Sequence, residues 1–533
     1  MKAAESTICP VCREPVDRLL YRYHLEGEQR IIAQIREQHP GWKESDGACG
    51  RCVDYYHTEI VLRQRILPET GPHFPVRTAD DYIVLPTPLR VDANPSYTGK
   101  GVTICFIDSG FFPHPDLIAH QQRILAYVDI PKGEFHPSPP PVSDDPAAWH
   151  GTMTTVVCAG DGYLSNGLYR GIASGASLVL MRVQDQNGRI STQHIVGALQ
   201  WVIANHQQYG IRIINMSIGD DEAIPASRSE INRQIGILEK LGLVVVAAAG
   251  NDSSAPIKPP ANSPAAITVG GLDDGNAPDL SAAQLYHSSF GEIAEGLQKP
   301  ELIAPAIWIA APLLPGSKAQ QAAAALFQEL SAVPEDDPRH SKLVRMLHQD
   351  KLISPHYKHV DGTSFAAPVV CAVIAQLLEL DPSLQPGTIR QLLFASAKRL
   401  PGYPANRQGY GLLRPRKSVL QLIRHEITEI PDQSPLISAD ENRIRFFLYR
   451  PCASSVSLAG SFNDWSPEVL FLEPGKNGTW KIDIPRLPAG KYRYKYFVDE
   501  KDWVEDLHNP LREPDGFEGF NSLLTIKNQV CSS

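Results

Sequence analysis

The sequence predicts an α/β fold with a parallel central sheet, preceded by a small cysteine-rich module and followed by a β-sandwich. Three observations lead there. First, Gly101-Val-Thr-Ile-Cys-Phe-Ile-Asp108-Ser-Gly110 and Leu243-Val-Val-Val-Ala-Ala-Ala-Gly250-Asn251-Asp252 are continuous apolar runs. Strands covered by helices on both faces have that pattern. Second, beyond residue 442 the chain changes to short alternating strands with turns about every eight to twelve residues. Third, Cys9-Pro-Val-Cys12 and Cys49-Gly-Arg-Cys52 form two Cys-x2-Cys pairs near the start. At 533 residues the chain exceeds one core. The expected division is a cysteine module at 1–79, an α/β domain at 80–425, a linker at 426–441 and a sandwich at 442–533.

The cysteine pairs are separated by 36 residues. Each knuckle presents two thiolates to one tetrahedral Zn²⁺, so Cys9, Cys12, Cys49 and Cys52 are expected to hold a zinc ion. Four thiolates close the coordination shell, which makes such a site structural. Redox thiols and unliganded cysteines are the competing readings. His24 and His57 are alternative ligands that read better as surface histidines. Between the knuckles, residues 21–38 read as a charged amphipathic helix. A hydrophobic fraction of 43% and a charged fraction of 20% are those of a soluble globular chain. The net charge of −9 argues against nucleic acid or an anionic membrane as the main partner. No apolar run of transmembrane length is expected. The opening residues lack the apolar segment of a secretory signal, so a cytoplasmic location is expected. In that reducing setting metal is favoured over disulfides for the cysteine pairs.

In the α/β domain the chemistry-bearing residues fall at strand and helix ends. Asp108 closes a buried strand, where open α/β sheets bind ligands. His150-Gly-Thr-Met-Thr-Thr opens a small-residue helix. Gly362-Thr-Ser364 runs into the apolar helix Phe365-Ala-Ala-Pro368-Val-Val-Cys. Ser364 is expected at the first helical position, with its N–H free for an anion. Pro368 is expected early enough in the helix that its missing N–H costs little. A Ser-capped core helix is the bland alternative for this segment alone.

Taken together, the order Asp108, His150, Ser364 in these settings resembles the subtilisin-like serine proteases. The resemblance covers about residues 85–423, including Lys299-Pro-Glu-Leu-Ile-Ala-Pro305 and Gly409-Tyr-Gly-Leu-Leu413. It implies a three-layer α/β domain in which Ser364 is the nucleophile, His150 the base and Asp108 its partner. Asn251 would then be the oxyanion-hole side chain. His114, in Phe111-Phe-Pro-His114-Pro-Asp, competes for the base and is rejected because it lacks the helix-opening Gly-Thr. Ser217-Ile218-Gly219 matches the family's edge that pairs with substrate backbone. Asp252 falls near the end of the primary specificity pocket. With Asp220, Asp221 and Glu222 it selects basic side chains or forms a solvated acidic loop; both readings stay open. No metal is expected in the chemistry, and calcium sites of the family are not readable here. Family members usually carry a signal and a folding propeptide, and this sequence shows no such propeptide. A segment at about 312–358 reads as an insertion with helices at 320–330 and 341–350. Surface decoration is favoured there over a gate.

In the C-terminal part, Val456-Ser-Leu-Ala-Gly-Ser-Phe-Asn-Asp-Trp465, Gly490-Lys-Tyr-Arg-Tyr-Lys495-Tyr-Phe-Val-Asp, Trp503-Val-Glu-Asp and Phe520-Asn521 resemble the early-set glycogen-binding modules of AMP-activated kinase β-subunits and of starch-branching and debranching enzymes. That resemblance implies α-glucan contact by Trp465, Lys495, Trp503 and Asn521. Packing against neighbours without sugar is the alternative. The functional expectation is a serine endopeptidase acting on protein substrates, regulatory or processing in role, with an α-glucan or regulatory protein as partner. The alternative is a latent protease fold that serves as a scaffold.

Overall fold

The computed structural model describes residues 84–423 and 434–526, apart from short gaps such as 220–223, and a few positions between 7 and 48. The chain divides into two units: Met1–Ile83 with Val419–Glu426, and Val84–Ser418 with Ile427–Ser533. In the first, Ile32 and Ile35 are buried helical residues, as an amphipathic helix requires. Trp42 is buried and its Nε1–H donates to the Gly47 carbonyl at 2.8 Å, tightening the turn before Cys49. Cys9, Cys12, Cys49 and Cys52 lie outside the described residues, as do Asp220, Asp221 and Glu222.

In the second unit the apolar runs become β1 (Thr103–Asp108), β2 (Ile124–Asp129), β3 (Ser177–Arg182), β4 (Ile211–Met216), β5 (Val244–Ala248), β6 (Ala266–Asp273) and β7 (Leu302–Pro305). They pair in parallel in the order β7–β6–β5–β4–β1–β3–β2, within a nine-stranded sheet that short antiparallel strands complete. Helices α1 (Ala148–Ala159), α2 (Thr192–Tyr209) and α3 (Glu230–Lys240) follow in the first half. Past an inserted pair, α4 (Lys318–Ala332) and α5 (Pro338–Gln349), come α6 (Thr363–Leu380) and α7 (Pro386–Ser396). One face of the sheet packs on α2 and α3 through Cys105, Ile107, Val179, Met181, Ile214 and Val245. The other packs on α1 and α6. The three layers match the expectation. One expectation fails: α6 is long and apolar enough to span a membrane. Its residues are almost all buried, because it is the central helix of this core.

The insertion is built into the domain. Strands β8 (Ile309–Pro312), β9 (Leu352–Ser354) and β10 (Tyr357–Val360) form an antiparallel sheet with β10 in the middle. Helices α4 and α5 close over it around Leu313, Leu326, Leu343, Leu347 and Leu352. Two contacts tie it to the rest of the domain. Tyr357, fully buried, donates its hydroxyl to Asp116 Oδ2 at 2.5 Å. Lys351 pairs with Asp361, three residues before Ser364. These contacts fix the insertion to the core of the domain. Tyr357→Phe should therefore lower unfolding free energy by about 1–3 kcal/mol, since it strips a buried carboxyl of a partner. Urea denaturation checks this, and an unchanged midpoint would contradict it.

The sandwich comprises β11 (Leu436–Ser438), β12 (Arg443–Tyr449), β13 (Val456–Gly460), β14 (Thr479–Pro485), β15 (Gly490–Val498), β16 (Asp502–Val504), β17 (Arg512–Pro514) and β18 (Phe520–Ile526). One sheet holds β11–β12–β14, the other β13–β15–β18–β17 with β16 beside β15. Phe446, Leu458, Trp480, Tyr494, Tyr496 and Leu524 fill the space between them. It docks on the α/β domain: Leu511 bridges to Leu297, and Arg399 pairs with Glu505 at 2.5 Å. The Arg512 guanidinium lies 3.8 Å from the Tyr410 ring centre and 4.3 Å from that of Phe520, a cation between two π-faces.

Candidate active site

The carboxyl ends of β1, β4 and β5 meet the N-termini of α1 and α6. Asp108, the last residue of β1, is fully buried. Its Oδ1 lies 2.7 Å from His150 Nδ1 and accepts the Ser109 N–H at 2.7 Å, while Oδ2 accepts the Thr154 hydroxyl at 3.2 Å. A carboxylate only accepts, so Nδ1 carries the proton and Nε2 is left as the basic nitrogen. Burial disfavours the imidazolium, but the facing Asp108 carboxylate outweighs it and holds His150 above the ordinary histidine value. His150 is the third residue of α1. The glycine after it is required: a Cβ at Gly151 would come within 2.3 Å of the Gly110 carbonyl, so α1 seats directly on the loop after β1.

Helix α6 starts at Thr363 behind Gly362, whose φ of 137° suits glycine. Ser364 is thus the second helical residue, one later than expected. Pro368 also lies deeper than expected, beyond the free first turn. It removes the N–H that would bond the Ser364 carbonyl four residues back. The Ser217 hydroxyl takes that place, donating to Ser364 O at 2.7 Å. Ser217 is buried, and its oxygen accepts from Asn215 Nδ2 at 3.0 Å. In return Ser364 Oγ donates to the Ser217 carbonyl at 3.2 Å. The rings of His150 and Phe365, the residue after Ser364, are 5.8 Å apart.

Asn251 sits opposite the start of α6. Its Oδ1 accepts the Thr363 N–H at 2.9 Å and the Thr363 hydroxyl at 2.9 Å. That hydroxyl itself accepts the Gly250 N–H at 3.2 Å, which fixes its own proton on Asn251. The amide is thereby oriented, with Nδ2 on the open side. Asp252 is exposed and turned on its own loop: Oδ1 accepts from Ser254 N–H at 2.9 Å and Ser254 Oγ at 2.6 Å, and these bonds keep its carboxyl below the usual range. His114 is fully buried at a helix N-cap, and burial lowers it to about 3.

A second constellation lies on the sandwich. Trp465 is held in a turn at positive φ after β13; Lys495 is on β15, Trp503 on β16 and Asn521 on β18. All four line one cleft. The Trp465 and Trp503 rings are edge to face at 6.1 Å, and Lys495 pairs with Asp515.

Residues 99–411 match the subtilase family. The chain belongs to that family. Residues 434–512 match carbohydrate-binding module 48, the isoamylase N-terminal domain type. Similar proteins include serine protease AprX of Bacillus subtilis (strain 168), 29% identical over 333 residues, covering 60% of this chain and 67% of that protein. M-protease of Shouchella clausii (strain KSM-K16) is 26% identical, with 60% and 64% covered. Among solved structures, Sphericase is 22% identical with a TM-score of 0.47, covering 63% of this chain and 99% of that one.

This subtilase is a subtilisin-like serine endopeptidase with a C-terminal carbohydrate-binding domain. Of the residues expected at its site, Asp108 with His150, Ser217 with Ser364, and Asn251 with the turn before Ser364 are brought together. Ile218 and Gly219 continue from Ser217 outside regular strand. Two parts were not foreseen. Thr363 orients Asn251, and Ser217 serves the Ser364 carbonyl by its side chain. The signal for the second was present, since Pro368 four residues after Ser364 announces an orphaned carbonyl.

Proposed function

We propose that this subtilase cleaves protein substrates through an acyl-enzyme formed on Ser364. Ser364 Oγ turns from the Ser217 carbonyl to His150 Nε2 and attacks the peptide carbonyl. His150 takes the proton and returns it to the leaving amine, while Asp108 keeps the ring oriented and stabilises its charged form. Asn251 Nδ2 and the Ser364 N–H hold the oxyanion, helped by the α6 N-terminus. Ser217-Ile218-Gly219 receives the substrate backbone, and Asp252 favours a basic side chain near the scissile bond. The observation that carries the reading is the 2.7 Å contact from His150 Nδ1 to Asp108 at the mouth of α6. Asn251→Ala should cost about 10²–10³ in kcat with KM little changed. Steady-state kinetics on a peptide substrate test it, and an unchanged kcat would remove Asn251 from the site.

One observation favours a second reading, a latent enzyme: the Ser364 hydroxyl rests on Ser217 and forms no hydrogen bond with His150 among the described residues. The flanking parts fit a regulatory or processing role. Trp465 and Trp503 offer stacking faces for pyranose rings and Lys495 and Asn521 polar partners for hydroxyls, so the cleft takes an α-glucan. Trp503→Ala should abolish co-sedimentation with glycogen; retention would sink the glucan reading. Cys9, Cys12, Cys49 and Cys52 form the donor set of a structural zinc in a reducing, cytoplasmic setting. Metal analysis should find one zinc per chain, and chelation should leave cleavage of short peptides unchanged.

A further inference from the structure

The cleft that holds the sandwich's aromatic residues has a second wall, and that wall belongs to the protease. Its volume is about 1010 Å³, at the upper end of ligand pockets. Beside Trp465, Trp503 and Asn521 it is lined by Phe394, Ala395 and Ala397 at the end of α7, and by Arg399 and Tyr410. We infer that the glucan site is composite: a linear α-glucan lies between the sandwich and the α7 end of the catalytic domain and joins the two. The inference rests on the glucan reading above and deepens it.

Three features argue for this occupant. The alanines at 395 and 397 are partly buried and small, so the protease wall leaves a gap and does not fill it with side chain. The charges of the cleft are largely neutralised in place. Arg399 pairs with Glu505, Lys495 with Asp515 and Arg493 with Glu513. A site for phosphate or nucleic acid would keep its cations unmatched; matched charges beside aromatic faces suit a neutral polyol. Hydrogen-bonding capacity nevertheless remains. Arg450 lines the cleft; the Asp502 carboxylate acts on it from beyond ion-pair contact. Glu505 Oε1 accepts from Arg399, while its Oε2 is shut off from solvent and has no partner among the described residues. Sugar hydroxyls accept as well as donate, and so suit the Arg450 guanidinium.

The geometry also makes the sugar a staple. Arg399 reaches Glu505 from one side of the junction, and Arg512 reaches Tyr410 from the other. A chain of glucose units lying between them adds contacts to both domains at once, and its binding strengthens their docking by mass action.

The test uses the full chain and maltoheptaose. Calorimetry on the wild type, Trp503→Ala and Ala395→Trp is paired with hydrogen–deuterium exchange of the wild type with and without sugar. Ala395→Trp pushes an indole into the cleft from the protease side, far in sequence from Asp108, His150 and Ser364. It should weaken binding at least about tenfold and leave cleavage of a short peptide unchanged. In the wild type, sugar should slow exchange at both 394–410 and 493–521. The exchange arm needs no variant, so a misfolded Ala395→Trp leaves the inference testable. Loss of binding in Trp503→Ala, with full affinity in Ala395→Trp and protection confined to 493–521, overturns the composite site and leaves glucan binding intact. A wild type that binds neither maltoheptaose nor glycogen overturns both, without touching the peptidase.

Discussion

Ser364→Ala should lower kcat on a peptide substrate by about 10⁶, leaving only the residual acceleration that binding and an oxyanion hole supply. The size follows from what is removed. Without Oγ there is no acyl-enzyme, and water must attack the carbonyl directly. KM should move little, because the backbone edge at Ser217-Ile218-Gly219 and the Ser364 N–H are untouched. The fold should persist, since among the described residues the Ser364 side chain makes one hydrogen bond, to Ser217 O at 3.2 Å, and helix α6 is held by its apolar faces. A loss of only tenfold would mean that cleavage runs through another nucleophile.

The second large effect is expected at Asp108. Asp108→Asn should lower kcat by about 10⁴, because an amide in place of the carboxylate permits the wrong imidazole tautomer. It should also change the pH profile. In the wild type His150 sits above the ordinary histidine value of about 6.5 because the Asp108 carboxylate outweighs burial. A raised value means that the ring charges at a higher pH, so the basic form is lost as pH falls through it. The acid limb of kcat/KM should therefore lie above about 6.5. With Asp108 gone, burial remains and favours the neutral ring, so the limb should move toward acid. A wild-type limb below that of Asp108→Asn would contradict the assignment.

How much of this was legible in the sequence depended on whether a signal was local. The parallel strands were readable because burial on both faces leaves unbroken apolar runs such as Val244–Ala248. Their C-terminal ends then positioned Asp108 and Asn251, since the sheet geometry puts such ends at the ligand edge. The cleft residues Trp465, Lys495, Trp503 and Asn521 were also found, each on the outer face of a strand or turn whose inner neighbours, such as Tyr494 and Tyr496, build the core. What escaped was long-range. The Lys351–Asp361 and Tyr357–Asp116 tethers join residues whose pairing no periodicity announces. The anchoring of the insertion was therefore not foreseen. The protease wall of the sugar cleft was invisible for the same reason, because Ala395 and Ala397 matter by being small at a junction between domains. Helix α6 reads as an apolar core helix; its length and composition also pass for a membrane span, because a helix buried all round has the same composition as one that spans a bilayer.

In the free enzyme the Ser364 nucleophile should already be assembled. This is tested most directly by treating the full chain with a fluorophosphonate and weighing it intact, beside Ser364→Ala and His150→Ala. One probe mass is expected on the wild type, none on Ser364→Ala and little on His150→Ala. A wild type that stays unlabelled while folded would contradict it, and would mean a latent site in which Ser364 remains on the Ser217 carbonyl.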